Sequence, residues 1–260
     1  MKLLPVGFLA AVLATASSFS FEDKKTDIAD FCQENDSLPY SGLSYCGPVS
    51  VSNILVHLQK NGFPNMIDKT ESGDIDQLGL VKTLGSRDYM STSNIGTTPV
   101  DMMAGLAKYV GERNYDVITL WRGENGGKYT IKSEQPDPDW LKSQARNESY
   151  LVLSVGFYKE LYSSVFEKTG EHYIAVVGFQ NDNEILIHDP SPLSGKEPKT
   201  ETFKLLPMRD ETLRTWCYKG LNFKSANGYW ELSGTKTKSY DLLLAEGAAS
   251  FYFQHKNHGR

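Results

Sequence analysis

The sequence predicts an α+β chain in which an N-terminal helical half packs on a β-sheet half built around an antiparallel hairpin. Two observations predict it. Apolar residues recur at helical spacing in the segments before residue 111, whereas after residue 150 β-branched and aromatic runs alternate with turn clusters. The chain has 260 residues, 40% of them hydrophobic and 23% charged, which suits one domain with a sizeable core.

The first helix carries the chemistry. Val51, Ile54, Leu55 and Leu58 fall on one helical face, and Gly62 lies just beyond as a stop. Pro48 sits in the first turn, where a missing N–H costs little. Cys46 therefore opens the helix, where backbone N–H groups and the positive end of the dipole favour a thiolate. The bland alternative is a small buried hydrophobe. What sets that alternative aside lies downstream.

The segment 74–84 reads as a helix with acidic residues at its start and Ile75, Leu78, Val81 and Leu84 on one side. Thr98 and Pro99 start another, with Val100, Met103, Leu106, Ala107 and Val110 on its inner face and Gly111 after it. Residues 115–121 read as a strand. The glycines of 123–127 form a turn without the strand–glycine–helix setting of a phosphate loop. A short helix ends near Asn147, with Asp137 or Asp139 as its cap.

Residues 150–158 read as a buried strand, and 158–170 as a linker carrying Tyr162 and Phe166 into one wall of a cleft. Two β-rich runs, 170–179 and 184–190, flank Asn181, Asp182 and Asn183, the pattern of a β-hairpin. His172 opens the first run and Asp189 closes the second, so a hairpin brings their side chains together. An imidazole held by a carboxylate can take a thiol proton and return it to a leaving group. Residues 191–199 form a loop, 201–206 and 248–254 are strands, 209–238 carries no assignable element, and 256–260 is a frayed tail.

The stretches Tyr-Cys-Gly-Pro at 45–48, His-Tyr-Ile-Ala-Val-Val-Gly-Phe at 172–179 and Ile-His-Asp-Pro at 187–190 resemble the papain-like cysteine peptidases related to bacteriocin-processing, double-glycine proteases. The resemblance covers roughly 40–58 and 150–190, with separations of 172 − 46 = 126 and 189 − 172 = 17 residues. It implies a papain-like cysteine proteinase fold, in which 150–158 pairs with the catalytic hairpin. It also implies Cys46 as nucleophile, His172 as general base and acid, and Asp189 as the residue orienting the imidazole. One position departs from the family pattern. The family usually carries a glutamine six residues before the cysteine, to help bind the oxyanion; here that residue is Tyr40, and the nearest upstream glutamine is Gln33. The Cys46 N–H and the Tyr40 hydroxyl are the donors expected instead.

The activity implied is hydrolysis of peptide bonds through a thioester, with a peptide or protein as substrate and no cofactor or metal. Two other functions are compatible with the same residues. One is an acyl or peptidyl transferase of the phytochelatin-synthase type, a more distant resemblance; the other is an inactive binding protein on the same scaffold.

Other chemistries find less support. Ser50 and Ser52 lie within the helix and no Gly-x-Ser-x-Gly elbow is present. The five histidines show no zinc spacing. Of these, His188 is expected to point away from the site or pack beneath it, and His57 to face the negative end of the first helix. Net charge is −5, or −5 − 1 = −6 once Lys2 is removed with a leader, and with no Lys/Arg block nucleic-acid binding is not expected.

Lys2, an apolar run and Ala14-Thr15-Ala16 predict a signal peptide over 1–16, or to 20, followed by a single peptidase domain over 17–260. A retained anchor is the alternative, but the run is shorter than the ~20 residues a spanning helix needs. A secreted or periplasmic location follows. Asn35 and Asn147 fit the glycosylation acceptor pattern. Of the three cysteines, Cys32 and Cys217 are expected to pair, leaving Cys46 free; both reduced is the alternative. A bridge between Cys32 and Cys46 would silence the nucleophile.

Overall fold

The computed structural model describes residues 25, 27–191, 200–217, 220–234 and 240–256. The expected signal peptide lies outside the described residues. Among these, no helix is long and apolar enough to cross a membrane.

Three helices come first: α1 (Cys46–Lys60), α2 (Gln77–Gly85) and α3 (Pro99–Gly111). Strands β1 (Tyr115–Gly123) and β2 (Thr130–Lys132) follow, then α4 (Pro138–Arg146). The rest is sheet: β3 (Tyr150–Tyr162), β4 (Val165–Asn181), β5 (Glu184–His188), β6 (Glu201–Pro207), β7 (Thr212–Cys217), β8 (Gly220–Ser225), β9 (Trp230–Ser233) and β10 (Leu242–His255). This is the α+β, papain-like arrangement that the sequence predicts.

Side-chain caps set three of the helix starts. Asp76 accepts from Gly79 N at 2.8 Å, Thr98 from Asp101 N at 3.1 Å and Asp137 from Trp140 N at 2.8 Å. Each satisfies a backbone donor that the first helical turn leaves without a partner. Pro99 and Pro138 follow their caps directly, where their fixed φ suits the helix.

Among the described residues ten strands form one sheet, and six of them close on themselves. β3 pairs with β4, β4 with β5, β5 with β6, β6 with β9, β9 with β10, and β10 with β3, all antiparallel. Leu153, Val155, Ile174, Ile187, Phe203 and Leu243 belong to the core of this ring. The alternation of strand side chains sends their neighbours to the other face. There Val152, Tyr173 and Phe251 pack with Ile54, Leu55, Met102 and Leu106 of the helical half. β1 and β2 extend the sheet beyond β10, and β7 and β8 extend it beyond β4; the β1–β2 and β4–β7 pairings are parallel.

Three sequence readings are corrected here. The segment 158–170 is not a linker: β3 and β4 run through it as one long hairpin, turning at Ser164 with φ 61°. Its many charged residues hide the strand, although Tyr158 and Phe166 pack with Met208 and Leu213 on one side of it. His172 consequently lies within β4, opposite Val155, and does not open it. The stretch 209–238 holds β7, β8 and β9. The described part of the N-terminal arm packs on both halves of the fold. Lys25 N donates to Val177 O at 2.8 Å, Ile28 is buried with Val177 and Leu186, and Phe31 N donates to Asn53 Oδ1 at 3.1 Å. The arm thus ties α1 to the barrel.

Candidate active site

Cys46 is the first residue of α1 and is buried. Its N–H has no acceptor within the helix, as for any residue of a first turn. The helix is pinned to β4: Ser50 Oγ donates to Tyr173 O at 3.1 Å, one residue beyond His172. Gly47 faces Thr97 and the Tyr173 ring so closely that an added Cβ would lie 3.3–3.4 Å from them. A larger residue beside Cys46 would push the helix start away from β4.

His172 and Asp189 meet across the hairpin. Asp189 follows the last residue of β5, and its Oδ1 accepts from His172 Nε2–H at 2.6 Å and from Ser191 N–H at 2.8 Å. The second bond holds the carboxylate in place where the strand turns away. With Nε2 engaged, Nδ1 is the ring nitrogen left for Cys46, whose side chain interacts with the imidazole and favours its charged form. Burial works against a charged imidazole here. The Asp189 hydrogen bond and charge outweigh it, the Cys46 interaction adds to them, and the His172 pKa is pushed from 6.5 up to about 10. At neutral pH the ring is an imidazolium between two acidic groups. Phe157 stacks on it with ring centroids 5.9 Å apart.

The turn before Cys46 carries a feature that sequence reasoning missed. Tyr40, Ser41 and Gly42 all have positive φ, at 57°, 49° and 79°. Two consecutive non-glycine residues in this region are costly and persist only when surroundings hold them. Here Asn35 N donates to Ser41 O, Leu43 N to Tyr40 O and Tyr45 N to Gly42 O, at 3.2, 3.1 and 2.9 Å. The turn brings Gly42 against the backbone of Gln33, where a Cβ would sit 1.7 Å from the Gln33 carbonyl oxygen.

Gln33 is 6% exposed, while Tyr40 is 54% exposed. Gln33 Nε2 donates to Leu43 O at 3.1 Å and its backbone N–H to Pro190 O at 2.7 Å. It therefore links the loop entering the Cys46 helix to the residue after Asp189. The only sequence signal for this placement is Gly42, the residue whose left-handed φ the turn uses most readily.

The remaining sequence candidates sit elsewhere. His188 is buried facing away from the site: its Nδ1–H donates to Ala29 O at 3.2 Å and its Nε2 accepts from Thr200 Oγ1 at 3.0 Å. His57 Nδ1 lies 2.9 Å from Asp27 at the end of α1. Cys32 is a free thiol, and the side chain of Cys217, its expected partner, lies outside the described residues. No metal-binding group of His, Cys, Asp or Glu occurs among the described residues.

A thiol at a helix start, facing an imidazole that a carboxylate holds, on an α+β papain-like fold, is the arrangement of a cysteine peptidase. The model of the Peptidase_C39 like family matches residues 25–220, and the chain belongs to that family. Comparison with curated proteins gave no match.

Proposed function

We propose that this protein is an exported cysteine peptidase hydrolysing peptide bonds through Cys46, His172 and Asp189, with a single catalytic domain following a cleaved leader. The observation that carries this reading is the imidazole of His172, held at 2.6 Å by Asp189 on one nitrogen and close enough to Cys46 for the thiol to favour its charged form.

The Cys46 thiolate attacks the carbonyl carbon of the scissile bond, and negative charge collects on the carbonyl oxygen. The Cys46 N–H, at the positive end of α1, is one donor to that oxyanion. Gln33 is the second in this reading, in place of the exposed Tyr40: one Nε2 hydrogen is used on Leu43 O and the other is available. The imidazolium of His172 protonates the departing amine, leaving a thioester on Cys46. The neutral imidazole then takes a proton from water, whose hydroxide attacks the thioester, and the acid leaves as the thiolate–imidazolium pair re-forms. Asp189 keeps Nδ1 directed at sulfur and stabilises the charge on the ring. The substrate is a peptide or protein and no cofactor takes part.

The test is digestion of a peptide library by the purified protein, read by mass spectrometry beside Cys46→Ala. Cleavage that Cys46→Ala abolishes supports the reading. Amide or thioester exchange products without hydrolysis would replace it by a transferase, and an inert wild-type protein would replace it by a binding protein.

A further inference from the structure

A polar cavity of about 310 Å³ opens beside the catalytic strand, between the start of α3 and the β7–β8 hairpin. Glu171, Glu246, Lys168, Glu124, Lys224 and Trp216 are among its walls. It adjoins the nucleophile through Tyr173. The Tyr173 ring touches Gly47, next to Cys46, and burial first, then the charges of Cys46, Glu171 and Glu246, raise its pKa well above 10. Tyr173 pairs with Ser154, which lines the cavity, and shares its face of β4 with Glu171.

We propose that this cavity is the substrate subsite of the enzyme and selects a basic side chain, lysine or arginine, close to the scissile bond. The inference rests on the peptidase reading and adds its substrate class. Both lysines of the cavity are already matched. Lys168 is held between Glu171 and Glu246, the latter at 2.6 Å and itself fixed by the Tyr158 hydroxyl at 2.5 Å. Lys224 lies 3.5 Å from Glu124 and over the Tyr229 ring. Three carboxylates face two ammonium groups; Glu246 lies deeper than either lysine, and Glu171 and Glu124 are the outer charges. The side chains of Glu171 and Glu124 are 65% and 57% exposed, against 19% and 26% for Lys168 and Lys224. The potential met by an entering side chain is therefore negative, and an acidic residue is repelled.

Trp216 completes the subsite. Its indole is exposed, yet its Nε1–H is tied to Glu167 Oε1 at 3.2 Å, so a ring face is presented in a fixed orientation. An aromatic face and carboxylates together hold an ammonium or guanidinium better than either alone. Arg214, 6.0 Å from that ring, is itself bridged to Glu167 at 3.5 Å.

The experiment is a positional-scanning peptide library cleaved by wild type, Glu171→Gln, Glu124→Gln and Glu124→Lys. At one position Arg and Lys peptides are cleaved at least tenfold faster in kcat/KM than Gln peptides. Each neutral variant reduces that preference about fivefold, and Glu124→Lys, a change at an exposed turn that leaves folding intact, shifts it towards Asp and Glu. A library cleaved without basic preference, or a preference that survives all three variants, overturns the proposal while leaving the peptidase intact. If nothing is cleaved and Cys46 resists iodoacetamide, the peptidase reading fails instead. Equilibrium dialysis of Arg against Gln peptides with Cys46→Ala then decides the subsite: equal binding overturns it, and Arg-selective binding weakened by Glu171→Gln upholds it.

Discussion

Replacing Asp189 by asparagine separates the charge of that residue from its shape. The amide oxygen can still accept from both His172 Nε2–H and Ser191 N–H, which the carboxylate holds at 2.6 and 2.8 Å. Only the charge is lost. A unit charge about 4 Å from the imidazolium, at an effective dielectric of about 20, is worth about 4 kcal/mol, or roughly a thousandfold in protonation. The His172 pKa, raised from 6.5 to about 10 in the native protein, is then left to burial, which lowers it, and to Cys46. Titration of the His172 ring by NMR, assigned with His172→Gln, should show a midpoint near 10 in wild type and below 8 in Asp189→Asn. Cys46→Ala should lower it by less. Because the native pKa lies above the unfolded value, the pair stabilises the fold fully below pH 6.5, and that stability is lost as pH rises through about 10. The difference in unfolding free energy between wild type and Asp189→Asn should accordingly be largest near pH 6 and close above pH 10. A midpoint unchanged by Asp189→Asn would refute the electrostatic account of the site.

The remaining predictions concern the loop and helix that deliver Cys46. Gln33→Ala should lower kcat by about 10²–10³, the usual loss for one oxyanion donor, with Tyr40→Phe changing it less than about twofold; equal effects would return the role to Tyr40. Gly42→Ala, which forces a Cβ into the Gln33 carbonyl at φ 79°, should cost about 3 kcal/mol in denaturant unfolding and slow Cys46 alkylation. Asn53→Leu removes the acceptor of Phe31 N–H at 3.1 Å and of the Gln77 amide at 2.7 Å inside the core, so urea titration should show a loss of about 2–3 kcal/mol.

The parts of this fold that could be read from sequence are those whose signals are local. Thr98 with Pro99 and Asp101 marks the start of α3, and Asp137 with Pro138 marks α4, because a cap is made within three residues of itself. The hairpin that joins His172 to Asp189 is local too, since the two residues lie 189 − 172 = 17 positions apart, one within β4 and the other just past the adjoining β5. The outer part of β3 and β4 was not legible. Lys168 is charged and yet half-buried because Glu246, 78 residues away, receives it, and nothing near it in sequence announces that partner. Strands β7 and β8 hide for a related reason: Trp216, Leu221 and Phe223 are exposed, so no apolar alternation towards a core betrays them. Gln33 meets Gly42 and Leu43 O through left-handed backbone at Tyr40 and Ser41, residues that rarely adopt it. The turn is imposed by its hydrogen bonds.

The central claim is an activated Cys46 thiolate, and its most direct test is intact-mass analysis after iodoacetamide treatment without reductant, beside Cys46→Ala and His172→Ala. A single adduct on Cys46, formed rapidly at pH 6 and slowed in His172→Ala, is the predicted result. A Cys46 that is disulfide-bonded, or that reacts no faster than a free thiol with a pKa of about 8.5, would contradict it.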